Sequence, residues 1–112
     1  MIAEKWRSIV EPEINGCVSP LTWDELNRLP NIDVLERQDP VMVLQPVRRG
    51  GRRWLSIIVA CGVLDEVLDM TQEAERLATK ASFVGVMFIG RRGWARALTG
   101  YRESSIIAVK EL

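Results

Sequence analysis

The sequence predicts a single domain of mixed α/β (α+β) class, in which helices pack on one β-sheet, and three observations support this. The chain has 112 residues, of which 47% are hydrophobic and 27% charged, which suits one domain over residues 1–112. Two apolar runs flank Gly50-Gly51, which is the pattern of an antiparallel hairpin. A long amphipathic helical pattern then separates two strand-like runs, which is the order of a βαβ unit.

Residues 1–40 are predicted to form a helical N-terminal part. Its first helix is expected to end at Val10, because Pro12 lacks an amide hydrogen and its ring clashes with the preceding turn. Trp6 falls on the amphipathic part of this helix and is predicted to lie in the core. An exposed Trp6 would instead be a candidate anchor for a protein interface.

The second helix is expected to begin after Thr22 and to end near Leu29. Thr22 can cap the helix, and Glu25 stands three residues further on, as a capping box requires. Trp23 is predicted to be buried on this helix. Residues 31–40 are mostly polar and are predicted to be a connection.

Residues 41–112 are predicted to follow the order hairpin, helix, strand, short helix, strand. The hairpin joins residues 41–44 to residues 54–61. Because the second of these runs is apolar nearly throughout, it suits a central strand that is covered on both faces. Trp54, at its start, is predicted to anchor the edge of the hairpin.

The long helix is predicted over residues 64–81, where apolar residues recur at three- and four-residue spacing. Residues 83–89 form the next predicted strand, which should be parallel to residues 54–61 because a helix of this length connects them. A short helix over residues 94–98 then leads to a last strand over residues 104–109. The apolar stripe of the long helix consists of Leu64, Val67, Leu68, Ala74, Leu77, Ala78 and Ala81.

The net charge is zero, but the charges are distributed unevenly. Residues 1–47 hold eight acidic and four basic residues, whereas residues 48–112 hold seven acidic and eleven basic residues. An arginine cluster such as Arg48–Arg53 can neutralise phosphates, or it can be a solvated turn. This turn is short and lacks interleaved aromatic residues, so direct nucleic-acid recognition is not expected.

The composition also excludes several kinds of chemistry. Histidine is absent, which excludes imidazole metal ligands and His-based catalytic dyads or triads, and no metal site is expected. Cys17 and Cys61 form no CxxC motif and are predicted to be reduced, buried thiols. The longest apolar run, residues 54–64, is too short to span a membrane, and the first residues lack the pattern of a secretory signal.

Two segments give the chain a likeness to a known family. They are GRRGWARALTGYRE at residues 90–103 and VKEL at residues 109–112. Over residues 41–112 the chain resembles the GNAT N-acetyltransferase superfamily. The motif itself resembles a group of small GNAT-like proteins encoded by phages and prophages. The resemblance implies a GNAT-like mixed sheet, with the first forty residues standing in for the family's opening strand and two helices.

The resemblance also implies where acetyl-CoA would bind. In that family the pyrophosphate lies on backbone amides at the N-terminus of the helix after the central strand, presented by an Arg/Gln-x-x-Gly-x-Gly/Ala loop. This sequence keeps one glycine of that loop, lacks its basic residue, and places Asp65 and Glu66 in the first helical turn, where carboxylates repel a phosphate. The candidate cofactor-binding residues are Ala60, Cys61, Gly62, Val63, Leu64, Arg91 and Arg92.

The residues that acyl transfer would need are not found at the expected positions. The resemblance implies a general acid five residues before Tyr101, and this position holds Arg96. A guanidinium group cannot donate a proton at neutral pH, although it can stabilise a thiolate. A general base would be an acidic residue on the hairpin strands, and none lies between Val41 and Gly62. No catalytic residue is therefore assigned.

Two hypotheses about function follow. In the first, the chain is a phage-type protein on a GNAT-like fold with a degenerate acetyltransferase site, and it acts without a cofactor as a virion, assembly or protein-interaction component. In the alternative, it is a divergent acetyl-CoA-dependent N-acyltransferase whose anion site is rebuilt from Arg91 and Arg92. The expected partner is a protein, with phage structural proteins as candidates. The expected location is the cytoplasm or the virion, without secretion.

Overall fold

The computed structural model describes residues 1–15, 21–89, 102–104 and 107–112. In these residues, helices pack on both faces of one six-stranded sheet, so the chain is a mixed α+β domain, as predicted. A 3₁₀ turn leads directly into the first helix. The elements are α1 (Arg7–Asn15), α2 (Trp23–Arg28), β1 (Asp33–Glu36), β2 (Val41–Arg49), β3 (Arg52–Cys61), α3 (Leu64–Lys80), β4 (Gly85–Ile89), β5 (Arg102–Ser104) and β6 (Ile107–Glu111).

The strand order of the sheet is β1-β2-β3-β4-β6-β5. β3 and β4 are parallel, whereas the other neighbouring strands are antiparallel. The predicted hairpin is therefore confirmed as β2–β3, and the predicted βαβ unit is confirmed as β3–α3–β4. β3 lies between β2 and β4, as its apolar sequence predicted.

A β-bulge changes the direction of the side chains near the end of β3. Met42 and Ile57 face α3, whereas Val43 and Val59 face α1 and α2. In a regular strand, the side chains of residues 57 and 59 would lie on the same face. The pairing with β2 skips Ile58, so this extra residue shifts the alternation of side chains by one. Val59 and Cys61 therefore face the N-terminal helices, whereas Ala60 faces α3.

The first helix extends further than predicted, because α1 includes Pro12 and ends at Asn15 rather than at Val10. A proline inside a helix costs about 3 kcal/mol. The burial of Val10 and Ile14 offsets this cost, since a fully buried aliphatic side chain contributes about 1.5–3 kcal/mol. Trp6, four residues before Val10, lies in the same stripe and is buried, as predicted.

The predicted capping box is confirmed at the start of α2. The Glu25 amide donates to the Thr22 hydroxyl oxygen at 3.1 Å, and the Thr22 amide donates to the Glu25 carboxylate at 3.0 Å. The hydrogen bond from the Thr22 backbone holds the pKa of Glu25 below its ordinary value of 4.5. α2 ends at Arg28, within one residue of the predicted end, and Trp23 is buried.

Strand β1 lies within residues 31–40, so the prediction of a plain connection there was wrong. Asp33–Glu36 pairs antiparallel with the start of β2 at the edge of the sheet. Only its central residues, Val34 and Leu35, are half-buried, so this short strand has too few apolar residues to give a recognisable pattern. In the structure, strand β1 comes after helices α1 and α2. The resemblance implies a strand that comes before the two helices, and residues 1–15 contain no such strand.

The last predicted strand, residues 104–109, is divided between two strands. β5 ends at Ser104, β6 begins at Ile107, and the two pair antiparallel. The antiparallel pairing lets β5 cover the edge of β6 that β4 leaves free. The short helix predicted over residues 94–98 lies outside the residues that the structure describes.

Candidate functional site

The five residues that the resemblance assigns to acetyl-CoA form the junction between β3 and α3. Ala60 and Cys61 end β3 and are buried, whereas Gly62, Val63 and Leu64 are exposed. The junction lies at the end of β3 opposite to the hairpin turn. It is therefore at the carboxyl end of the central strand, where open α/β sheets bind ligands.

The parallel pairing of β3 with β4 stops before this junction. The last paired residues are Ile57 of β3 and Phe88 of β4, although β3 continues to Cys61. Within the described residues, the end of β3 beyond Ile57 therefore has a strand partner only on the β2 side.

Packing against Pro40 accounts for the glycine of the junction. Gly62 has a φ of +144°, which L side chains rarely adopt. A Cβ added to Gly62 would lie 2.8 Å from the Cβ of Pro40. The tertiary structure thus requires glycine at this position, so Gly62 is not by itself evidence for a phosphate-binding loop.

The N-terminus of α3 has no side-chain cap. Val63 is the N-cap residue, with φ −68° and ψ 142°, and its side chain cannot accept a hydrogen bond. Its carbonyl oxygen accepts the first helical bond, from the Val67 amide at 3.0 Å. The amides of the first turn are therefore not bound by a capping side chain, and such backbone donors can bind an anion.

Two carboxylates counteract this potential anion site. Asp65 and Glu66 occupy the first turn of α3, where they are favourable to the helix dipole but add negative charge at the place where an anion would bind. The Oε2 atom of Glu66 is buried and has no hydrogen-bond partner. In the part of the chain that the structure describes, no salt bridge reaches either carboxylate.

Arg37 neutralises a different part of α3. Its guanidinium group donates to Asp69 at 2.5 Å and to Glu73 at 3.0 Å. These hydrogen bonds, with Asp69 the stronger influence, raise the pKa of Arg37. Asp69 and Glu73 lie in the second and third turns, so Arg37 leaves the negative charge of the first turn uncompensated.

A small cavity of about 540 Å³ opens beside Cys61, on the α1 side of the junction. Trp6 forms part of its wall, together with Lys5, Glu13 and Asp39. Its walls therefore carry one basic and two acidic side chains, a balance that does not favour an anion. Cys61 is buried, as predicted, and its thiol donates to the carbonyl oxygen of Ile9 at 3.5 Å.

The start of α3 presents apolar side chains to solvent, which the helical spacing did not predict. Val63 is 64% exposed and Leu64 is 49% exposed. Leu64 and Leu77 were assigned to the buried stripe, but Leu77 is also 40% exposed, so this part of the prediction was wrong. Leu64 lies in the first helical turn and Leu77 at the margin of the stripe. The residues of α3 that are buried are Val67, Met70, Thr71, Ala74 and Ala78.

The remaining predicted site residues lie outside the residues that the structure describes. They include Arg91 and Arg92, which are the candidates for a rebuilt anion site, and Arg96, at the expected general-acid position. Tyr101 and Cys17 also lie outside. The roles of these residues therefore stay predictions.

Comparison of the chain with known protein families, with curated proteins and with solved structures finds no match. The class that the structure defines is a mixed α+β domain with one six-stranded sheet. Within the described residues, no group of three or more acidic or cysteine side chains is placed to hold a metal ion. None of the helices in the described ranges has the length and apolarity that crossing a bilayer requires.

Proposed function

We propose that the chain is a protein-interaction component on a GNAT-like fold with a degenerate acetyltransferase site, and that its partner is a phage structural protein. The observation that supports this most directly is the surface formed by Val63, Leu64, Asp65 and Glu66, here termed the α3 N-terminal surface. It presents the exposed side chains of Val63, Leu64 and Asp65, together with the half-buried side chain of Glu66, whose Oε2 atom is buried. The resemblance puts the pyrophosphate of acetyl-CoA at this same place.

The charges of the α3 N-terminal surface argue against pyrophosphate binding. Two unit charges 4 Å apart repel each other by roughly 1 kcal/mol in water and by roughly 4 kcal/mol at an effective dielectric constant of about 20. An exposed helix N-terminus attracts an anion by only about 0.3–1 kcal/mol. Because Asp65 and Glu66 both lie in the first turn, their repulsion offsets this attraction.

The apolar side chains of the same surface suit contact with a protein. Val63 and Leu64 are adjacent and exposed, and carboxylates lie beside them. An apolar centre with a charged margin is the usual arrangement of a protein interface, and a fitting partner has an apolar pocket flanked by basic residues. The assignment of this partner to a phage rests on the resemblance of residues 90–103.

Calorimetry and complex formation test the proposal. Titration with acetyl-CoA and with CoA at low salt should show no binding at micromolar concentrations. Size-exclusion chromatography with phage structural proteins should show a stoichiometric complex, which Val63→Ser/Leu64→Ser should abolish. Leu77→Ser is the matched control, because Leu77 is an exposed leucine near the other end of α3. Micromolar acetyl-CoA binding, or recovery of the protein only as a free monomer, would contradict the proposal.

A divergent acetyl-CoA-dependent N-acyltransferase is a second candidate, which a different observation favours. The pairing of β3 with β4 stops at Ile57 and Phe88, and the first amides of α3 have no side-chain cap. A site for acyl-CoA needs both features. Arg91 and Arg92 would supply its positive charge, and water would take the proton of the acceptor amine. Micromolar acetyl-CoA binding that weakens at least tenfold in Arg91→Ala/Arg92→Ala would support this alternative, and equal binding by the variant would contradict it.

A further inference from the structure

The turn of the β2–β3 hairpin carries four arginines within six residues. Arg48 and Arg49 end β2, Arg52 and Arg53 begin β3, and all four are exposed. The two glycines between them have φ angles of +61° and +76°, as in a tight turn of type I′. We refer to Arg48–Arg53 as the arginine tip.

Like charges lie opposite each other in the arginine tip. Arg48 is the cross-strand partner of Arg53, and Arg49 is the partner of Arg52. Directly opposed like charges destabilise a pair of strands. Arg52 lies 4.0 Å from Glu111, but both side chains are more than half exposed, so this ion pair compensates little of the repulsion.

The two arginine pairs lie on opposite faces of the sheet. The Arg53 guanidinium is 4.5 Å from the centre of the Phe83 ring, which packs against the core on the α3 side. The Nη1 atom of Arg49 contacts the sulfur of Met87 at 3.8 Å, and Met87 packs with Trp54 in a separate cluster. Because cross-strand partners share a face, each face of the tip carries two guanidinium groups.

The arginine tip projects beyond both neighbouring strands. β1 pairs with β2 only as far as Leu44, and β4 pairs with β3 only from Trp54 onward. One further hydrogen bond joins the Val84 amide to the Arg53 carbonyl oxygen at 2.8 Å. Because Val84 still bonds to Arg53, the hairpin extends past its last hydrogen bond with a neighbouring segment only by Arg52, Arg49 and the two glycines. This is a projection of about 7 Å, at about 3.3 Å per residue.

We infer that the arginine tip is a docking surface for duplex nucleic acid, which enters a groove and binds phosphates on both of its walls. The major groove of B-DNA is about 12 Å wide and 8.5 Å deep and admits a two-stranded β-ribbon. The projection of the tip, about 7 Å, reaches most of this depth. Open space surrounds Gly50 and Gly51, so the turn can approach the floor of the groove closely.

The placement of arginines on two faces favours a groove over a flat acidic surface. An acidic protein surface would contact only one face of the tip. The repulsion between the two arginines on the other face would then remain. A groove has phosphates on both walls, so it engages both pairs and removes both repulsions.

The absence of aromatic residues from the tip bears on the kind of nucleic acid. Proteins that bind single strands stack bases on aromatic side chains, and the tip has none. For this reason the sequence alone predicts no nucleic-acid recognition at this turn, but the missing aromatic residues argue only against single strands. Contacts with phosphates need only donors such as guanidinium groups. This inference does not depend on the function proposed for the α3 N-terminal surface, because it concerns the opposite end of the hairpin.

Fluorescence anisotropy with the full chain and a labelled DNA duplex of about two helical turns tests the inference. Four phosphate contacts predict a slope of about −3.6 for log K against log salt concentration, and a dissociation constant of about 1–100 µM at physiological salt. The variants Arg48→Gln/Arg53→Gln and Arg49→Gln/Arg52→Gln each remove one pair. Each should reduce the slope to about −1.8.

The control variant is Arg28→Gln/Arg76→Gln, which removes the same amount of charge from exposed positions elsewhere and should keep the slope of the wild type. The tip variants should unfold close to the temperature of the wild type, since each removes a repulsion together with one favourable contact, that of Arg53 with Phe83 or that of Arg52 with Glu111. The inference would be overturned if duplex binding did not depend on salt, or if only one arginine pair mattered. Binding of polyglutamate or of single-stranded DNA as tight as that of the duplex would overturn it as well.

Discussion

The indole ring of Trp54 lies directly against Gly85, its partner in the parallel pairing of β3 and β4. A Cβ added to Gly85 would lie 2.5 Å from Cζ3 of the ring, and closer still to the carbonyl oxygen of Lys110. Trp54 is buried at the base of the arginine tip, as its predicted role of hairpin anchor requires. These two residues therefore fix the point at which the hairpin leaves the sheet.

Gly85→Ala should lower the free energy of unfolding by about 3 kcal/mol, because the added methyl group meets a backbone oxygen and a buried ring that cannot both move away. Gly51→Ala is the matched control. It has open space around it and only a positive φ, so it should cost about 1 kcal/mol. Urea unfolding followed by tryptophan fluorescence measures both. A loss for Gly85→Ala no larger than that for Gly51→Ala would contradict the packing described here.

Gly62→Ala distinguishes a structural glycine from a phosphate-binding one. The clash with Pro40 and the φ of +144° should together lower the free energy of unfolding by about 2 kcal/mol, with no ligand present. If Gly62 served only to let a phosphate approach, the variant would be as stable as the wild type and would differ only in acetyl-CoA binding. Urea unfolding and calorimetry on the same variant separate these outcomes.

The parts of the fold that the sequence predicts well have local patterns. Thr22 and Glu25 are three residues apart, and Gly50-Gly51 specifies a two-residue turn. The parts that it predicts poorly depend on distant contacts. The continuation of α1 through Pro12 requires β3 to bury its apolar stripe, and the four residues of β1 become a strand only because β2 offers an edge.

The candidate site was predicted in its position but not in its surroundings. Strong patterns on both sides place residues 60–64 between a strand and a helix. The approach of Pro40 to Gly62 joins segments that no local pattern links. Periodicity shows which side of α3 is apolar but not where the sheet beneath it ends, so the exposure of Leu64 was missed.

The sequence contains enough information to predict which arginines of the tip lie opposite each other. A two-residue turn fixes the register of a hairpin, so Gly50-Gly51 makes Arg49 and Arg52 partners, and Arg48 and Arg53 the next pair. The sequence also implies that the two pairs alternate between faces. The projection beyond β1 and β4 was not predictable, because it depends on where those strands begin to pair.

Glu25 should make the stability of the protein depend on pH in acid. The hydrogen bond from the Thr22 backbone lowers the pKa of Glu25 below 4.5, so the folded state favours the charged carboxylate. This stabilisation is present above the ordinary pKa and is lost as the pH falls through the lowered pKa of the folded state. The difference in stability between the wild type and Glu25→Gln should therefore shrink as the pH falls below about 4.5. Urea unfolding over a pH series measures it, and a constant difference would be evidence against the prediction.

An ion pair that is largely buried ties β6 to α3. The Nζ atom of Lys110 donates to Oε1 of Glu75 at 3.0 Å, and the side chains are 29% and 19% exposed, respectively. Glu75→Gln or Lys110→Met should each lower the free energy of unfolding by about 1–3 kcal/mol, because the remaining charge stays partly buried. The double variant should lose less than the sum of the two. The exposed pair of Arg7 and Glu11 is the control, and its loss should change stability little. Additive losses for Glu75 and Lys110 would show that the two side chains do not interact.

The α3 N-terminal surface should contribute almost nothing to folding if its role is to bind a partner. Val63→Ser/Leu64→Ser should not lower the free energy of unfolding by more than about 0.5 kcal/mol. Val63 is 64% exposed, and a serine at the N-cap position of α3 can cap the helix, which offsets the loss of the half-buried Leu64 side chain. Val67→Ser, on the same helix but only 1% exposed, should lose about 2–4 kcal/mol. Urea unfolding without the partner makes the comparison. The double variant should also abolish the complex, so unchanged stability would separate an interface role from a core role. A loss near that of Val67→Ser would place Val63 and Leu64 in the core and remove the observation on which the proposed function rests.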